Sequence, residues 1–221
     1  MIITKLIRSR RRSVALVVEQ DATLTVRAPH RVSERYINEL ISKKRGWIEE
    51  KQHQMLSRGK AQEKKYVDGE LFLFLGKEYA LQLCYGKAIE LVESNGVIMF
   101  PRKFLPRAQR AMISWYKTRA CDVLKERVNM YSELTSWRHT SLKVTSAKTR
   151  WGSCSGKGAL NFTWRLVMAP LAAVDYVVVH ELAHINERNH SSRFWNAVAS
   201  VLPMYEHQEK WLKDNGGLLR V

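Results

Sequence analysis

Tyr176-Val177-Val178-Val179-His180-Glu181-Leu182-Ala183-His184 is the stretch whose reading decides the fold. Ala169-Pro170 precedes it, and proline suits the first turn of a helix, where a missing N–H costs no intrahelical bond. From there Leu171, Val174, Val178, Leu182 and Ile185 recur at helical spacing, which predicts a helix running to about Glu187 with one apolar stripe. His180 and His184 are four residues apart, a rotation of about 400° and a rise of about 6 Å, so both imidazoles leave the same face and can meet at one ion. Glu181, beside the first of them, can reach a water at that ion and take its proton. Zinc suits the purpose: it is a Lewis acid without redox chemistry of its own and brings the pKa of bound water to about 7. With 7 His and 16 Glu among 221 residues, about 0.02 chance occurrences of H-E-x-x-H are expected, so the motif is informative despite its brevity.

Three protein ligands and an open fourth position make a catalytic zinc site, whereas four ligands make a structural one. His190 follows His184 by six residues, and Asn186 and Asn189 stand near the helix end, where asparagine tolerates the left-handed backbone that turns a chain back. Glu187, Glu206, His207 and Glu209 are the rival third ligands, the last three on a final helix after Pro203. Ser191 and Ser192 are good caps for a helix with Phe194, Trp195, Val198 and Leu202 on its apolar stripe.

Upstream, Leu142–Trp151 and Ala159–Met168 bracket the turn-rich Ser155-Gly156-Lys157-Gly158. The second arm alternates Leu160, Phe162, Trp164 and Leu166 with Asn161, Thr163 and Arg165, which predicts a β-hairpin with one apolar face. Residues 107–134 show helical spacing through Ala111, Trp115, Ala120, Leu124, Val128 and Tyr131. Between Tyr66 and Phe100 short apolar runs are punctuated by Gly69, Gly76, Gly86 and Gly96, the pattern of several strands with tight turns. Ser57–Lys65 is polar and reads as a linker. Before it, Tyr36, Ile37, Leu40, Ile41, Trp47, Ile48 and Met55 predict one amphipathic helix from Ser33 to about Leu56. Residues 13–18 and 23–28 predict a pair of strands joined by Glu19-Gln20-Asp21-Ala22 and ended by Pro29. The expected class is α+β, with an N-terminal α+β region over 1–100 and a catalytic core over 101–221, or one compact unit.

A composition of 45% hydrophobic and 26% charged residues is ordinary for a globular chain, and no stretch approaches the ~18 apolar residues that span a bilayer. Arg8, Arg10, Arg11 and Arg12 precede the short run Val14–Val18, but Glu19-Gln20-Asp21 follows it in place of a cleavage site, so no membrane partner and no export are expected. Cys84, Cys121 and Cys154 form no C-x-x-C pair, which fits a reducing cytoplasm. The formal net charge is +16, distributed as +7 over 1–70, +5 over 71–140 and +4 over 141–221, so it is no detachable basic tail. Such a field attracts polyanions. If nucleic acid is the partner, Arg8, Arg10, Arg11, Arg12, Lys43, Lys44, Arg45, Arg102, Lys103, Arg107 and Arg110 should gather on one face near the cleft.

The chain resembles the YgjP-like family of metal-dependent hydrolases, related to SprT-like and other zincin metallopeptidases. The resemblance rests on Tyr176 to His184, on Asn189-His190-Ser191 with Phe194-Trp195, on Arg150-Trp151-Gly152-Ser153-Cys154, and on the arm Leu160-Asn161-Phe162 with Trp164-Arg165-Leu166. Val26-Arg27-Ala28-Pro29 and Trp47-Ile48 extend it to most of the chain. It implies a zincin-like core with the H-E-x-x-H helix packed on an antiparallel β-hairpin or sheet, His190 as third ligand to one zinc ion, and metallopeptidase activity on a peptide or protein. The ligand offsets equal those of metzincins, but Glu187 stands where their glycine belongs and no methionine turn follows, so that assignment is not made. Gly152 suggests a place where substrate backbone approaches a strand edge, with Trp151 and Ser153 beside it. Tyr176, one turn before His180, is placed to orient a ligand or to pack. The family has also been labelled a nucleoside triphosphate pyrophosphohydrolase, for which Arg150 and Arg165 would hold phosphate. The third alternative is a zinc-stabilised nucleic-acid-binding module, which has no need of Glu181.

Overall fold

In the computed structural model, which describes residues 5–19, 21–57 and 64–221 apart from the side chains of 54–57, the chain divides into two units, Met1–Gln62 and Glu63–Val221. Most of the polar stretch read as a linker, Gln20 of the first turn and the side chain of Met55 lie outside the described residues. The division does not fall near residue 100, because the strands before that point share one hydrophobic cluster with everything after it: Phe72, Leu81 and Phe100 pack in the same core as Tyr116, Leu124, Phe162 and Val178. Pro101 marks the end of a strand, not of a unit.

In the first unit the expected pair of strands forms as β2 (Ala15–Val18) antiparallel to β3 (Leu24–Pro29). A strand missed in the sequence, β1 (Lys5–Ser9), runs parallel to β3 on its other side. Its alternation is hidden by the arginines around it. The single helix expected over 33–56 is two, α1 (Glu34–Lys43) and α2 (Arg45–Ser57), broken at Lys44, whose backbone leaves the helical region at φ −103° and ψ 12°. Gly46 beside the break lowers the cost of the bend. Ile37, Ile41 and Ile48 thereby reach one core with Leu24, Val26 and Ala28, whereas Tyr36 and Trp47, expected on the apolar stripe, are exposed.

The second unit opens with a four-stranded mixed sheet of β4 (Leu71–Phe74), β5 (Lys77–Cys84), β6 (Glu90–Val92) and β7 (Val97–Pro101), in the order β4-β5-β7-β6. The long helix α3 (Ala108–Thr135) follows as its spacing predicts. Next, β8 (Ser141–Thr145), β9 (Gly152–Cys154) and β10 (Ala159–Thr163) form a sheet in the order β8-β10-β9. Here the expected hairpin is corrected. Only the short β9 pairs antiparallel with β10, β8 lies parallel on the other side, and Trp164–Met168 leaves the strand as a 3-10 turn. Three further helices close the chain: α4 (Leu171–Ala183), α5 (Ser192–Val201) and α6 (Tyr205–Asn215).

α4 is buried on almost every side, not along one stripe: Ala173 to Val179 and Glu181 to Ala183 are all buried, while Leu171 is exposed. Each buried valine or leucine contributes about 1.5–3 kcal/mol relative to exposure, which makes this helix the centre of the unit. It is keyed to α3 by a two-pronged ion pair, Arg127 Nε to Asp175 Oδ1 at 2.6 Å and Nη2 to Oδ2 at 2.9 Å. Among the described residues no helix is long and apolar enough to cross a membrane, and the three cysteines are unpaired.

Candidate metal centre

α4 ends at Ala183, and His184 caps it in helical conformation at φ −64° and ψ −12°. Asn186 and Asn189 take no left-handed conformation. Instead, three turn bonds, Ile185 N–H to Leu182 and Asn186 and Glu187 N–H to Ala183, carry the chain round. That turn brings His190 back over the helix. The Nε2 atoms of His180 and His190 lie 3.0 Å apart, and one ligand atom from each of His180, His184 and His190 falls within 4.8 Å of the others. His184 Nδ1 donates to the Glu187 carbonyl at 3.0 Å, which leaves its Nε2 lone pair for the cluster. Glu187 thus enters through its backbone, and none of the rival carboxylates joins the group. Phe194, fully buried at the start of α5, packs on all three rings at centroid distances of 4.9, 4.5 and 4.7 Å.

These residues fit a metal ion. The Nε2 atoms of His180 and His190, 3.0 Å apart, converge with a nitrogen of His184 on one point, as the ligand atoms of a tetrahedral zinc do at about 3.3 Å from one another. Burial, and then the neighbouring His184 and His190, hold the His180 imidazole down at about 3, so it stays neutral and able to ligate. Its Nδ1 is buried and has no hydrogen-bond partner among the described residues.

Glu181 projects from α4 toward β9. Its carboxyl is pushed up to about 7 by burial, against the opposing pull of the Cys154 backbone N–H that it accepts and of the Arg150 charge. Residue 152 must be glycine for this to fit: a Cβ there would lie 2.6 Å from Glu181 Cγ and 2.7 Å from Oε1. The sequence reading reserved that space for substrate; the side chain of Glu181 occupies it.

A cleft of about 550 Å³ joins the groups, lined by Arg150, Gly152–Gly156, His180, Glu181, His184, Arg188 and His190. Three sequence candidates lie elsewhere. Trp151 packs on the end of the chain, close enough that a Cβ on Gly216 would come within 2.4 Å of its ring. Arg165 lies over the Trp164 ring at 4.3 Å and donates to the carbonyls of Ser146 and Ala147. Tyr176 is buried, stacks on Tyr205 at 6.2 Å and meets the edge of His180 at 5.8 Å, so it packs behind the ligands. Within the second unit, Arg102, Lys103, Arg107 and Arg110, a basic cluster that nucleic acid would require near the cleft, do not line it.

The profile of the YgjP-like metallopeptidase domain matches residues 12–215. The chain belongs to the YgjP-like family. A metal-dependent hydrolase of metallopeptidase type is therefore the class of this protein. Among solved structures, the metallopeptidase zymogen of Pyrococcus abyssi abylysin is similar at 20% identity over 44% of this chain and 96% of that chain, with a TM-score of 0.39. Comparison with curated proteins yields no match, and nothing in the comparisons points to a nucleotide or nucleic acid. In this YgjP-like chain, sequence reasoning missed Arg188 and the Cys154 N–H. A backbone donor leaves no trace in residue type, and Arg188 reaches the cleft only through the turn after α4.

Proposed function

We propose that this YgjP-like chain is a zinc-dependent peptidase in which His180, His184 and His190 hold one ion and Glu181 is the general base. The observation that carries this is the Glu181 carboxylate, buried beside β9 in the same cleft as the three imidazoles. Zinc, when bound, supplies Lewis-acid polarisation and lowers the pKa of water to about 7. The chain supplies the rest. Thr163 N–H donates to Trp151 and Ser155 N–H to Ala159, so in an antiparallel ladder Trp151, Ser153 and Ser155 face β10 and the backbone groups of Gly152 and Cys154 face the open edge. An extended peptide can add there as a further strand, held by main-chain bonds. Glu181, anchored by one of those edge groups, is placed to accept the proton of the attacking water and return it to the departing amine. The nucleotide alternative loses one of its two arginines, since Arg165 is engaged away from the cleft.

The test is Glu181→Gln in zinc-loaded protein. It should keep one zinc per chain and lose at least ~100-fold in peptide hydrolysis. Near-normal turnover of a verified peptide by this variant would falsify the base assignment, and hydrolysis of nucleoside triphosphates with no peptide cleaved would replace the peptidase reading.

A further inference from the structure

Two guanidinium groups bracket β9. Arg150 stands two residues before Gly152, where the strand starts, and Arg188 donates from Nη2 to the Gly156 carbonyl at 3.1 Å, two residues beyond Cys154, where it ends. Both are exposed and both line the cleft. Neither belongs to any salt bridge among the described residues. Glu181, the single carboxylate lining the cleft among the described residues, sits between them, tied to the Cys154 N–H. The bond of Arg188 to Gly156 fixes where its fork sits, and a guanidinium has five donors, so most remain for a ligand.

We propose that the cleft selects acidic peptides, with a carboxylate side chain on each side of the scissile bond read by Arg150 and Arg188. This rests on the peptidase reading and deepens it. A strand rises about 3.3 Å per residue, so a peptide lying along β9 with its scissile bond opposite Ser153 brings the residues two or three positions to either side up to the two arginines. A carboxylate there receives charge-assisted, planar hydrogen bonds from a fork of matching shape. A lysine or arginine at those positions meets like charge instead. The two arginines lie at opposite ends of the strand, so the preference holds for either direction of the bound chain.

The experiment uses zinc-loaded full-length protein and three quenched fluorogenic peptides of one core sequence, with Asp, Asn or Lys at the two flanking positions. We expect the Asp peptide to exceed the Asn peptide in kcat/KM by about tenfold per flank, the scale of one charge-assisted pair, with the advantage shrinking as salt rises. Arg188→Glu should bring the Asp and Lys peptides to similar kcat/KM, since Arg150 still favours Asp at one flank, and the double substitution Arg150→Glu with Arg188→Glu should invert the order. Lys125→Glu, the same charge change on the exposed face of α3, should leave the wild-type preference in place. Equal kcat/KM for the Asp and Asn peptides in the unaltered protein overturns the acidic preference and leaves the peptidase reading standing. The same loss of preference produced by Lys125→Glu also overturns it, since overall charge would then be the cause. If zinc-loaded protein cleaves none of the three peptides, nor a digest of unrelated peptides, the peptidase reading falls and this proposal with it. Should Arg188→Glu not fold, Arg150→Glu probes the other end of the strand by the same loss of preference.

Discussion

Replacing Gly152 with alanine adds one methyl group at the most crowded point of the cleft, and the consequence can be worked from distances. The new Cβ would stand 2.6 Å from Glu181 Cγ, 2.7 Å from Oε1 and 2.9 Å from Cδ, whereas carbon atoms settle at about 3.5–4.0 Å. Glu181 must therefore retreat by roughly 1 Å, which pulls its carboxylate off the Cys154 N–H. Overpacking of this kind costs about 1–3 kcal/mol, which in a unit of this size lowers Tm by about 2–4 °C per kcal/mol. A misplacement of about 1 Å at a reacting group lowers the rate by about 100-fold. The three atoms nearest the new methyl group all belong to Glu181, so zinc should still bind at one per chain. The assay compares Gly152→Ala with Ser153→Ala, whose side chain points to the other face of the strand, by peptide kcat/KM, zinc content and thermal melting. The reasoning is refuted if Gly152→Ala retains wild-type kcat/KM, or if it loses zinc and activity together.

Three other outcomes are expected. His190→Ala should weaken zinc binding by more than ~100-fold, while Glu209→Gln changes it by less than ~10-fold, as for a residue outside the ligand set; competition with a chromophoric chelator reads both, and the reverse order would assign the third ligand to Glu209. Asp175→Ala leaves Arg127, largely buried, without its carboxylate and should cost about 3 kcal/mol in urea unfolding, and a loss below about 1 kcal/mol would show the pair to be dispensable. His180 has its folded-state pKa held at about 3 by burial and by its two neighbours, so in the metal-free protein the unfolded chain binds more protons between the ordinary histidine value near 6.5 and about 3. Stability of the metal-free form should therefore fall as pH drops through that window and be flat above it for this group, which melting curves from pH 8 to pH 4 will check.

The H-E-x-x-H helix was legible in the sequence because helical geometry is local: a separation of four residues fixes the direction of two side chains before any tertiary contact exists. The same holds for α3, whose buried apolar positions recur from Ala108 to Tyr131, and for β2 and β3, where the alternation is short-ranged. His190 stood outside that guarantee. Its six-residue offset is compatible with several paths, and only the turn after His184, made by backbone bonds to Leu182 and Ala183 and not by left-handed asparagines, directs it back. The tertiary structure also decided what spacing cannot express. It put β8 parallel to β10 and cut the second arm of the expected hairpin at Thr163, placed the unit boundary at Gln62 because Phe72 and Phe100 share a core with Tyr116, and set Glu181 into the gap at Gly152. Arg150 and Arg165 look alike in the sequence, yet one lines the cleft and the other lies over Trp164. Residue type and period report what a segment can bury or bind by itself; which distant segment it meets depends on packing between surfaces that no single stretch contains.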